Sequence, residues 1–155
     1  MRLTVGLAAL VLSAVACSND ESSEGAHSRE VARELERAGL GCLDAHAGPA
    51  RGQVENSTVC TLAGGASFTI DAFTDQGDLR QDEANSRRYA CEFYPEAARG
   101  TDGPADLDGF PYLRGKWWQG MFTIEGIGPD PDAFDADAYE PLAAATGGEV
   151  VRIDC

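Results

Sequence analysis

Apolar residues recur with two different periods along this chain. Between Ser28 and Gly39, Val31, Leu35 and Ala38 fall at i, i+4 and i+7, the spacing of one helix face. Glu30/Arg33 and Glu34/Arg37 add i, i+3 ion pairs on the solvated side. With Ser28 as N-cap and Gly39 as stop, the pattern predicts an amphipathic helix over 29–38. Further on the period drops to two. Residues 66–73, ASFTIDAF, turn Phe68, Ile70 and Ala72 one way and Ser67, Thr69 and Asp71 the other, which is a half-buried strand. Residues 41–44 and Glu55–Leu62 read as two earlier strands, divided by a Gly/Pro loop at 48–52, with a Gly64-Gly65 turn after the second.

Asp78 is placed to cap a weakly amphipathic surface helix over 79–91. A loop with three Gly and two Pro spans 99–111. A hairpin over 112–125 then turns near Arg114-Gly115-Lys116. Its second arm places Trp118, Phe122 and Ile124 on one face and Trp117, Gln119, Met121 and Thr123 on the other. After the acidic loop 128–137, Asp135 or Asp137 is expected to cap a helix ending at Thr146, Asp137 and Glu140 being spaced like a capping box. Glu149–Cys155 is the last strand. The order αβββαββαβ, with short turns between neighbouring strands, predicts an α+β domain: a mostly antiparallel sheet with helices packed on one face.

One apolar run fits neither period. Leu3 to Ala16 is apolar apart from Thr4, Gly6 and Ser13, follows Arg2, and is fourteen residues long. A membrane span needs roughly 20 residues, so this is the core of a signal peptide over 1–16. At Ala14-Val15-Ala16-Cys17 it resembles the lipobox of bacterial lipoproteins. The resemblance implies a diacylglyceryl thioether on Cys17 and cleavage just before it. Ala14-x-Ala16 also fits an ordinary signal-peptidase site, which would release a secreted protein. Residues 17–27, a lipidated Cys and the polar stretch SNDESSEGAH, form a flexible tether, leaving 28–155 as one globular domain.

Cysteine usage fits that address. With Cys17 lipidated, Cys42, Cys60, Cys91 and Cys155 remain, an even set suited to two disulfides in an oxidising compartment. Adjacent antiparallel strands favour Cys42–Cys60, which leaves Cys91–Cys155. Separations of 18, 31 and 64 residues do not suit zinc, which favours closely spaced pairs.

Charge narrows the partners. With 26 acidic residues against 12 basic ones, the net charge is −14, and phosphate backbones are repelled; no nucleic-acid partner is expected. No cofactor is expected either. The membrane is reached through the lipid. The leading function is binding of an envelope protein, a wall glycan or a small ligand, with Trp117, Gln119 and Met121 as the binding face unless a helix covers it. One alternative is a calcium module using the acidic segment around Asp130, Asp132 and Asp135, which lacks the EF-hand spacing. The other is a small hydrolase with His46 as base, although no nucleophile motif accompanies it. Asn56-Ser57-Thr58 matches a glycosylation sequon.

Overall fold

The computed structural model describes residues 27–93, 110–123 and 136–153. The first helix, α1 (His27–Arg37), buries Val31, Ala32 and Leu35. Gly39, at φ +74°, closes it: its N–H reaches the Glu36 carbonyl at 3.0 Å, and the Leu40 N–H reaches that of Leu35 at 2.9 Å. Ser28 is not the cap. It lies inside the first turn, with its hydroxyl turned onto the sheet against Asn56 Oδ1 and, at 2.8 Å, Thr58 Oγ1.

No strand forms at 41–44, because the backbone there is not extended. Gly41 sits at φ +114°, so close to Leu62 that a Cβ would lie 2.5 Å from its Cα, and Cys42 follows at φ +67°. The segment instead makes a single bridge, Gly41 to Leu62, and β1 is the two-residue His46–Ala47. β2 (Val54–Thr61) and β3 (Ser67–Phe73) follow. The expected Cys42–Cys60 disulfide ties the bridge to β2, with Cα atoms 4.7 Å apart. Cys91 is also disulfide-bonded; Cys155, its expected partner, lies outside the described residues.

The second helix, α2, runs from Gln76 to Phe93, starting three residues before the expected position. Asp75, not Asp78, caps it: its Oδ1 accepts the N–H groups of Gly77 at 2.5 Å and Asp78 at 3.0 Å. The hairpin is β4 (Phe110–Arg114) and β5 (Trp118–Phe122), closed by the Gly115 N–H on the Trp118 carbonyl at 2.8 Å. A 3-10 turn at Ala136–Ala138 leads into α3 (Glu140–Thr146), and β6 (Glu149–Ile153) ends the sheet. Tyr139, not Asp137, occupies the α3 N-cap position, and Asp137 lies in the preceding 3-10 turn; Asp135 lies outside the described residues.

The six strands are ordered β1-β2-β3-β5-β4-β6, each antiparallel to its neighbour. The class is therefore α+β with an antiparallel sheet. The helices, however, do not share one face. Register places Thr58, Phe68, Ile70, Ala72, Leu113, Trp118, Gly120 and Val150 on the first face, against α1 and α3. α2 lies on the second face, where Asp82 and Glu83 meet Gln119 and Tyr112.

The first face is the apolar core. Phe68, Phe122 and Tyr139 form a cluster, with Phe122 edge-on to Phe68 at 5.5 Å and to Tyr139 at 4.8 Å between ring centroids. Tyr139 is buried, and its hydroxyl accepts the Phe122 N–H at 3.3 Å. Phe68 lies on the bare backbone of Gly120: a Cβ there would be 2.7 Å from the ring Cζ. Gly120→Ala should therefore cost about 1–3 kcal/mol, the range of an overpacked core. A lower urea midpoint with an unchanged slope is the expected reading; a wild-type midpoint would show that the ring moves aside freely.

Candidate functional site

The second face is built on polar positions. Ser57 of β2 pairs with Asp71 of β3, and Asp71 with Gln119 of β5, so their side chains share this face; Arg114 of β4 pairs with Gln119 and with Glu149 of β6. α2 lies across this row. Among its described side chains only Leu79 is buried, and the rest of its hold on the sheet is polar. Gln119 Nε2 donates to Asp82 Oδ2 at 2.6 Å, and the Tyr112 hydroxyl donates to Glu83 Oε1 at 2.7 Å. Arg114 donates through Nε and one Nη to Glu149 Oε1 at 2.7 and 2.6 Å, and through its other Nη to Glu83 Oε1 at 3.4 Å.

Burial sets the electrostatics of this seam. Asp71 is pushed above the usual carboxylate range chiefly by loss of solvent; Ser57 opposite it pulls it down, the Asp82 charge raises it, and Arg51 lowers it. Asp82 is also raised by burial, with Glu83 adding to the effect and the Gln119 hydrogen bond opposing it. Tyr112 is held protonated by burial and by its bond to Glu83. The Glu149 contact strengthens the hold of Arg114 on its proton. Far from this seam, Asp44 behaves in the opposite way. Its carboxylate accepts the Thr61 hydroxyl at 2.6 Å and the Thr61 N–H at 2.8 Å, and these bonds lower its pKa.

At one end of the seam a cleft of about 440 Å³ opens between α2, the hairpin turn and the start of β6. α2 contributes Gln76, Leu79, Arg80 and Glu83; the hairpin contributes Arg114, Gly115 and Lys116; Gly147 and Glu149 complete the wall. Arg80 donates to the Gln76 amide oxygen at 3.2 Å. Lys116 Nζ lies 5.0 Å from the Trp117 ring centroid, a cation–π contact.

The residues singled out by sequence are only partly brought together. Gln119 is 2% exposed beneath α2 and fixes that helix, so it is not part of an open binding face. Trp117 and Met121 flank it and are half-buried; the Trp117 carbonyl accepts the Phe73 N–H at 2.9 Å. Of the expected open face, Gln119 is covered by α2, while the cleft beside it uses Lys116 and Arg114. Two acidic residues in consecutive positions of a weakly amphipathic helix, Asp82-Glu83, were the available signal for this seam. His46 sits exposed on the edge strand, its Nδ1 donating to the Asp44 carbonyl at 3.1 Å. Asn56 does not present its amide for modification: Nδ2 is buried and Oδ1 meets Ser28. Cys17, Asp130, Asp132 and Asp135 lie outside the described residues. Among the described residues no group of three or more His, Cys, Asp or Glu is arranged to hold a metal. No family model, curated protein or solved structure matches the chain.

The raised carboxyl makes a signed prediction. A carboxyl whose pKa is higher folded than unfolded stabilises the fold below its unfolded pKa, and that stability is lost as pH rises through the folded value. Asp71→Asn mimics the protonated form. It should raise the melting temperature at pH 7 and leave it near wild type at pH 3. A loss of stability at pH 7 would show that the ionised carboxylate is the favoured species.

Proposed function

We propose that this chain is a lipid-anchored binding protein of the bacterial cell envelope, with the cleft between α2 and the hairpin as its binding site. The observation that carries this reading is the cleft itself. Its volume falls within the range of small-ligand sites, it converges on one oriented guanidinium, and it draws residues from three separate elements. The Cys42–Cys60 disulfide supports an oxidising compartment outside the cytoplasm. Among the described residues no helix is long and apolar enough to cross a membrane; the reading assigns attachment to a lipid on Cys17, at the lipobox-like Ala14-Val15-Ala16-Cys17. An amide-linked chain beside the diacylglyceryl group would hold the protein firmly. The acidic domain would stand clear of anionic headgroups.

The anchor is tested by detergent phase partitioning of the protein expressed with its own leader. Wild type should enter the detergent phase, and Cys17→Ser should move to the aqueous phase. Equal partitioning of the two would remove the lipoprotein reading and favour a secreted protein.

A further inference from the structure

The cleft is not electrically neutral, and its charges are not equally engaged. Three of the chain's 12 bases, Arg80, Arg114 and Lys116, line it against two acids, Glu83 and Glu149, in a protein of net charge −14. The lining therefore carries one excess positive charge on a strongly negative molecule.

The two acids are already committed. Glu149 Oε1 takes two donors from Arg114, and Glu83 Oε1 takes the Tyr112 hydroxyl and the other Nη. These contacts fix the plane of the guanidinium. Three of its five N–H donors are used, and the side chain remains 37% exposed. Around it, Arg80 has only the neutral Gln76 amide and Lys116 only the Trp117 ring; among the described residues neither has a carboxylate partner. Leu79 borders the cleft but is only 4% exposed, so the accessible wall is mainly polar.

We propose that the cleft binds a small molecule carrying one anionic group, a carboxylate or a phosphate ester. The proposal rests on the binding function above and specifies its ligand class. The anionic group sits on Arg114 between Arg80 and Lys116. The Nε–Nη edge of Arg114 is held by Glu149, so an oxyanion of either kind meets the two remaining Nη donors, while Lys116 acts as a point charge. A carboxylate balances the lining, and a phosphate monoester, at about −1.5 to −2 at neutral pH, exceeds it by no more than about one charge. A polyanion meets Glu83, Glu149 and the negative field of the whole domain. A cationic ligand finds two carboxylates whose Oε1 atoms are already held by Arg114 and Tyr112.

The test uses three probes of one shape: hexanoate, hexyl phosphate and the neutral hexanamide. They are titrated into the ¹⁵N-labelled, disulfide-intact protein carrying Cys17→Ser, and amide shifts are followed. Saturable shifts at Arg80, Gly115 and Gly147 with hexanoate or hexyl phosphate, and none with hexanamide, are expected. The stronger of the two anions tells carboxylate from phosphate. The double variant Arg80→Gln/Lys116→Gln should weaken that binding about tenfold, a change of about 1.4 kcal/mol, with an unchanged melting temperature. Binding of hexanamide as strong as that of hexanoate would overturn the ionic class while leaving a binding cleft. Undiminished affinity in the double variant, or no shift with any probe at millimolar concentration, would overturn the proposal itself. Membrane anchoring is unaffected by either outcome and is decided by Cys17→Ser.

Discussion

β3 leaves the sheet through α2 and returns two places along as β4, and β5 leaves through α3 and returns as β6. Both connections step over one strand toward the same edge. They depart from antiparallel strands, so they start in opposite directions. If both crossovers share one hand, as such connections overwhelmingly do, their helices must lie on opposite faces. That constraint sends α3 to join α1 over Phe68 and sends α2 alone to the other side. The two faces of one sheet then meet very different requirements.

The first face is sealed as a core. Two helices, four aromatic side chains and a disulfide enclose it, and Gly120 lets Phe68 settle onto the backbone. The second face has a single helix with little apolar surface to offer. Its attachment is Leu79, on a face where Phe73 is also buried, plus polar contacts from Gln119–Asp82 to Tyr112–Glu83 and Arg114–Glu83. Such contacts add little net stability each, but leaving any partner buried and unpaired is costly. They therefore orient α2 more than they bind it. Where the helix rises from the sheet, the same side chains line a cleft instead of filling a core. The feature proposed to work is the one the topology leaves incompletely packed.

Local period was legible in the sequence. The alternation at 66–73 put Phe68, Ile70 and Ala72 in the core, and pleat parity separated Trp118, buried, from Trp117, half-buried. The Cys42–Cys60 pair was legible although the strand expected at 41–44 does not form: the single Gly41–Leu62 bridge is enough to bring Cys42 beside β2. What escaped was non-local or conformational. No pattern within α2 reveals which face of the sheet receives it, because that follows from strand order. Left-handed backbone at Gly41 and Cys42 broke an apparent strand, and Asp75 competed with Asp78 for one cap. Gln119 looked like a surface residue because its partner, Asp82, lies 37 residues away.

The division into a sealed face and an oriented one is open to direct measurement. Native-state hydrogen exchange at pH 7, over a series of sub-denaturing guanidinium concentrations, gives the opening free energy of each amide. Amides of Asp82, Glu83 and Ser86 in α2 should exchange through a partial opening, with a lower free energy and a smaller denaturant slope than Leu35 and Ile70 require. A single common free energy and slope for all five would contradict the account, and would mean that α2 is as much part of the core as α1.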